Sequence, residues 1–183
     1  IHPPSSIMAP AVSSRAEVRI KAKADDVWAK LIDTSTWSAW NTFVPQAEPI
    51  DENDDPKIFK LGTRRRFTAK IHGRSFLLIQ KVVEFTTPND PGIVSKVYRI
   101  SWAVQGYPHF AFNTLRFNEI EQIETDDGPE CVYRTGEDQY GPIAYIVKPI
   151  FGSAVEKGLN DWANDLKKAV ETQTALNDAA PTQ

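Results

Sequence analysis

Cysteine occurs once in the 183 residues, at Cys131, so the chain can form no internal disulfide and offers no cysteine-rich metal site. Histidine is nearly as scarce. His2 falls in the segment Ile1–Ile7 ahead of Met8, which reads as a vector remnant before a native start. His72 and His109 stand in different segments, with no carboxylates at metal-ligand spacing, which argues against a metal enzyme. No glycine-rich loop follows a strand, so a nucleotide has no seat and no cofactor is expected. No apolar run is long enough to span a bilayer and no signal-peptide core is visible, so a cytoplasmic protein is expected. Charge of one sign is missing too: 21 Lys and Arg against 24 Asp and Glu leave a formal net charge of −3. The run Arg64-Arg65-Arg66 alternates across a strand and makes no basic patch, so nucleic acid is not expected as a partner.

Aromatic residues are what the chain has, 10% of it, with five Trp and nine Phe. Val18 and Ile20 alternate with Arg19 and Lys21 as in a half-buried strand. Ala24-Asp25-Asp26 offers a helix start, and Val27, Trp28, Leu31 and Ile32 follow at helical spacing. Asp33 restarts a short second helix, after which Trp37, Trp40 and Phe43 crowd together. The stretch from Pro45 through Pro56 is too polar and proline-rich for a sheet interior and reads as a surface loop. Strands are expected over Thr63–His72 and Ser75–Phe85 with a Gly73-Arg74 turn, then over Ile93–Trp102, Phe110–Ile123 and Cys131–Tyr140. Short connections imply antiparallel pairing. From Val155 the positions Leu159, Trp162, Leu166 and Val170 mark a long amphipathic helix over about 154–172, whose approach Pro149 and Gly152 kink or interrupt. The expected organisation is one domain over 15–174, with a disordered start (1–14) and a frayed end (175–183). The order predicts an α+β fold in which a curved antiparallel sheet wraps the last helix around an internal hydrophobic cavity.

Val27-Trp28, Leu31, Asp33 and Trp37, then Trp40-Asn41-Thr42-Phe43, resemble the opening of the SRPBCC or START-like helix-grip superfamily, which usually carries proline where Thr42 stands. Cys131 to Glu137, Tyr140 to Tyr145, and Asp161 to Lys167 are similar to later elements of its polyketide cyclase/dehydrase-like, fungal-type members. The likeness runs from about Glu17 to Glu171. It implies the helix-grip fold, an acidic residue turned inward at Glu137, and a hydrophobic small molecule, lipid or polyketide, as partner.

Arg65 shares the apolar phase of its strand with Phe67, Ala69 and Ile71, and a charge there needs a ligand anion, an internal Glu or a way out to solvent at the strand end. Glu137 lies in phase with Tyr133 and Thr135, while Arg116 and Asn118 share a face on the preceding strand. An Arg–Glu structural pair and a proton-transfer site both fit that phase. Candidate catalytic groups are therefore Glu137, Arg65, Arg116 and Tyr133. Candidate ligand contacts are Trp40, Asn41, Phe43, Phe67, Tyr98, Trp102, Phe112, Asn118, Tyr140 and Tyr145. Two function classes follow: a cofactor-independent cyclase or isomerase of secondary metabolism, and a non-catalytic carrier for lipids or polyketides. The second needs only apolar walls, and charged groups inside such walls would be costly.

Overall fold

Alternating side chains set the sheet, most regularly over residues 12–20, 64–71 and 113–120, where nearly every second residue is buried. In the computed structural model, which describes residues 9–92 and 96–179, seven strands form one antiparallel sheet: β1 (Val12–Ile20), β2 (Gln46–Pro49), β3 (Arg64–Ile71), β4 (Arg74–Thr86), β5 (Val97–Val104), β6 (Asn113–Thr125) and β7 (Gly128–Tyr140). Their spatial order is β1-β7-β6-β5-β4-β3-β2, a meander whose last strand returns to the first. Ala69 and Ile71 on β3, Val82 on β4, Ile100 on β5 and Ile120 on β6 all point into one core. A register shift between Val82 and Glu84 breaks the β4–β5 ladder, the kind of irregularity that bends and twists a strand.

Several boundaries differ from the expectations. β1 begins at Val12, inside the stretch expected to be disordered, because Val12 to Ser14 pair with Gln139 to Glu137. β2 lies within the expected loop: it is a four-residue edge strand, where Pro49 leaves no interior ladder bond unmade. The β3–β4 turn is His72-Gly73, one residue earlier than expected. Ile71 pairs with Arg74, and both turn residues have positive φ, 49° and 73°, which suits the right-handed twist of a two-residue hairpin. Of the expected strand over Ile93–Trp102, residues 93–95 lie outside the described residues, as do residues 1–8 and 180–183.

Helix α1 (Ala24–Ile32) carries Asp25 and Asp26 in its first turn, where carboxylates suit the helix dipole. Its cap is not local. Lys23 gives no side-chain cap, and Gln122 Oε1 on β6 accepts from the Ala24 N–H instead. A 3₁₀ helix over Thr34–Ala39 follows, capped by Asp33 accepting from the Ser35 N–H. Helix α2 (Pro142–Ala179) is far longer than expected at both ends. Pro149 sits inside it without ending it, because the missing hydrogen bond falls on a solvent-exposed turn. Apolar spacing was unreadable there since Tyr145, Ile146 and Ile150 are exposed. Beyond that segment Val155, Leu159, Trp162, Leu166 and Val170 are buried as their spacing predicts, and α2 packs on β1, β7 and β3. Thr42 adds a tie that proline could not make in full: its N–H and its hydroxyl both donate to Asp165 of α2, at 2.9 and 2.6 Å.

Candidate ligand site

The space between α2 and the sheet is occupied by rings. Trp37 lies at its centre, with ring centroids 4.8 Å from Trp162, 5.5 Å from Phe59 and Phe67, and 6.4 Å from Trp102. Most of these pairs meet edge to face, the arrangement favoured by ring quadrupoles. Trp37 Nε1–H donates to the Leu31 carbonyl at 3.1 Å, which fixes the indole.

Arg116 enters this block from β6. It is 3% exposed, and its guanidinium carbon lies 4.2 Å from the centroid of Trp162 and 5.7 Å from those of Phe43 and Trp102. Neither Nε nor Nη2 has a hydrogen-bond partner among the described residues, and Nε1 of Trp162, in the ring that covers it, has none either. Glu137 is its direct register partner on β7. The expected Arg–Glu ion pair is nevertheless not formed: no carboxylate among the described residues bridges to Arg116, and Glu137 Oε1 instead accepts from Gln139 Nε2 at 2.8 Å. Burial pushes the pKa of Arg116 below the usual guanidinium range, with Tyr133 and Glu137 opposing that shift. Beside it the Tyr133 hydroxyl donates to Asn118 Oδ1 at 2.7 Å, and Thr135 Oγ1 has its one proton between the Phe117 carbonyl at 2.9 Å and the same Asn118 oxygen at 3.1 Å. Burial raises the Tyr133 phenol to about 12, so it is a neutral donor at ordinary pH.

Arg65 is the other buried arginine, and the structure separates it from this group by the width of β4 and β5. Its Nη1 donates to the carbonyls of Pro56 (3.1 Å) and Ala47 (3.4 Å), and its Nη2 to those of Asp55 and Ile58. The Phe59 ring lies 5.2 Å away. Arg65 thus clamps the 55–59 loop through backbone carbonyls, neither reaching solvent nor pairing with an internal Glu, and does not meet Glu137.

The remaining expected site residues divide by position. Phe43, Trp102 and Asn118 belong to the Arg116 group, while Phe67 and Trp40 are ring contacts of Trp37. Asn41 Oδ1 accepts from the N–H groups of Phe43 (3.1 Å) and Val44 (2.8 Å), so it holds the turn that aims Phe43. Tyr98 faces the opposite end of the interior, donates to Asp25 and packs on Trp28. Phe112 precedes β6 and contacts Tyr107, Tyr140 is half-buried at the end of β7, and Tyr145 points to solvent at 66% exposure on the first turns of α2. Tyr98 thus packs against α1, and the other three lie at or beyond the strand ends, away from the Arg116 group. Gln80, buried on β4 with Oε1 unpartnered, is one residue the sequence reading passed over. Its signal was a polar side chain in phase with Val82.

Open volume lies on the outer side of Phe43. A cleft of about 520 Å³ is lined by Phe43 with Lys70, His72, Ala154, Lys157 and Gly158, among others. Gly158 is required there, because a Cβ would stand 2.4 Å from the Phe43 ring. One ring therefore faces the cleft and also flanks Arg116.

A family model described as polyketide cyclase/dehydrase and lipid transport matches residues 11–171. The chain belongs to that family. A similar protein from the fungus Penicillium oxalicum, named oxopyrrolidines biosynthesis cluster protein O, is 32% identical, with 84% of each chain covered. Among solved structures, a hypothetical protein of Helicobacter pylori superposes with a TM-score of 0.67 at 20% identity, covering 86% of this chain and 87% of its own. A START superfamily protein of Mycobacterium smegmatis gives a TM-score of 0.57 at 17% identity, over 90% and 98%. The polyketide cyclase/dehydrase and lipid transport family thus accounts for the helix-grip fold, a seven-stranded antiparallel sheet gripping one long helix. Among the described residues no helix is long and apolar enough to cross a membrane.

Proposed function

We propose that this protein acts in secondary metabolism as a cofactor-independent isomerase or cyclase, on a hydrophobic polyketide-like intermediate bound beside Arg116. One observation carries the reading: a buried guanidinium with an unpartnered donor edge sits directly opposite Glu137 in the β6–β7 register. The similarity to a biosynthesis cluster protein and the family match support the metabolic setting. In this mechanism Glu137 takes a proton from the carbon beside a ligand carbonyl, and Arg116 stabilises the oxyanion that forms, joined by the Tyr133 hydroxyl once it turns from Asn118. Aromatic walls hold the chain folded so that its reacting atoms meet. Shielded from water by Trp162 and Phe43, the guanidinium acts on developing charge in a low-dielectric setting, where it is worth far more than on a surface.

A carrier remains the second reading, favoured by the closeness of the ring packing around Trp37. Glu137→Gln separates the two. It keeps size and hydrogen bonding but removes the base, so turnover of an identified substrate is lost while affinity stays within about tenfold, or roughly 1.4 kcal/mol. Turnover that persists in this variant removes Glu137 as the base. A wild type that binds candidate ligands and converts none of them establishes the carrier.

A further inference from the structure

The two unpartnered nitrogens of Arg116 are not an arbitrary pair. Nε–H and the adjacent Nη2–H point the same way from one edge of the planar guanidinium, and that edge matches two coplanar oxygens accepted side by side. A neutral carbonyl would use one of these donors and leave the other, with its charge, buried and unmet. Protein groups do not supply the anion: Glu137 is engaged by Gln139, and the Asn118 oxygen already accepts from Tyr133 and Thr135. Trp162 covers the guanidinium face at 4.2 Å, the edge atoms are themselves closed to solvent so that a ligand reaches them only where a neighbouring side chain gives way, and Trp162 Nε1 is a further buried donor with no hydrogen-bond partner among the described residues. The outer cleft has cations at its rim, Lys70 and Lys157, although Lys157 also pairs with Asp161.

Resting on the function proposed above, we infer that the ligand is already an acid when it binds: a planar anion with two neighbouring oxygens, a carboxylate or an ionised acyl-1,3-dicarbonyl, docked edge-on to Nε and Nη2 of Arg116. Phe43, which faces both the cleft and the guanidinium, is the side chain the ligand passes. The catalytic reading alone requires charge only as the reaction proceeds. This one requires it in the ground state, and the two are separable by affinity.

The test compares each anion with a neutral analogue: 1-naphthylacetate with 1-naphthylacetamide, and 2-acetylcyclohexane-1,3-dione, ionised at neutral pH, with its methyl enol ether. Titration is followed by calorimetry and by tryptophan fluorescence, since Trp102 and Trp162 flank the site. At least one anion binds about tenfold or more tighter than its neutral partner, and whichever does so identifies the ligand class. Arg116→Lys keeps a cation but not the paired donor edge, and Arg116→Gln removes the charge; both bring anion affinity to within about threefold of the neutral analogue. Equal affinities, undetectable binding of both anions, or a preference that survives both substitutions overturns the inference, the last placing the anion on the cleft lysines. Glu137→Gln keeps the anion preference. If that preference is absent while Glu137-dependent turnover of a neutral ketone is found, the inference falls and the proposed function stands; an anion preference without turnover leaves the inference standing and the enzyme reading lost.

Discussion

Two arginines are buried in this sheet, and they are solved in opposite ways. Arg65, fully buried on β3, leaves its Nε without a partner but donates through both Nη atoms to four backbone carbonyls and so holds the loop at 55–59 against the sheet. Arg116, almost as deeply buried on β6, has rings on its faces and two donors that no described protein group accepts. Both pKa values are lowered chiefly by burial. The difference lies in the partners. A buried charge that finds its acceptors within the chain is a building element, whereas one that does not is held at a cost to stability and is free to meet something else.

Removing each arginine in turn tests that contrast. Arg65→Met leaves four carbonyls without their donor and frees the loop, so it destabilises the fold by about 3–5 kcal/mol in urea unfolding. A loss below about 1 kcal/mol would mean that water replaces the clamp and that the two sites differ less than their geometry implies. Arg116→Met has the opposite sign. It stabilises the ligand-free protein by roughly 1–2 kcal/mol, the lost cation–π contact with Trp162 offsetting part of the relief. Destabilisation there would show that Arg116 is structurally satisfied after all. Tyr133→Phe sharpens the picture with the smallest effect, a loss of about 1 kcal/mol at neutral pH, since Asn118 still accepts from Thr135.

The same variant separates further in alkali. Tyr133 has its folded pKa raised from an ordinary value near 10 to about 12. A raised pKa means the folded state keeps its proton longer than the unfolded one. Its contribution is full below about pH 10 and is lost as pH rises toward 12. Melting temperature therefore falls less steeply across that window in Tyr133→Phe than in the wild type.

Much of this was legible in the sequence. The spacing of Leu159, Trp162, Leu166 and Val170 located the gripped part of α2, and period-two patterns located the strands of the main hairpins. Arg65 and Arg116 were both visible as charges on inward faces. What separated them was not visible, because it depends on a loop carbonyl here and a side-chain rotation there. Phase alone leaves either Arg116 or Asn118 to meet Glu137; the register chooses Arg116, yet the carboxylate turns to Gln139. β2 carries no readable pattern because it is four residues long, ends in Pro49 and follows Pro45, and the start of α2 carries none because its apolar side chains face outward. Phase and residue type single out Tyr98 and Tyr145 as wall candidates, but neither says which end of a strand or helix a ring occupies.

The pairing of β1 with β7 has a consequence for how the molecule comes to exist. Val12 meets Gln139, and the helix that covers β1 follows later still. β1 thus leaves the ribosome well before β7 and α2 and waits for both. Contacts so distant in sequence carry a large loop-closure cost and slow the search for the folded state. The segment 12–20, with its alternating apolar residues and unpaired edge, passes through synthesis without its partner. Holding it apart from other chains in that interval is a task for the cell's chaperones, and expression at low temperature or slowed initiation should raise the soluble yield.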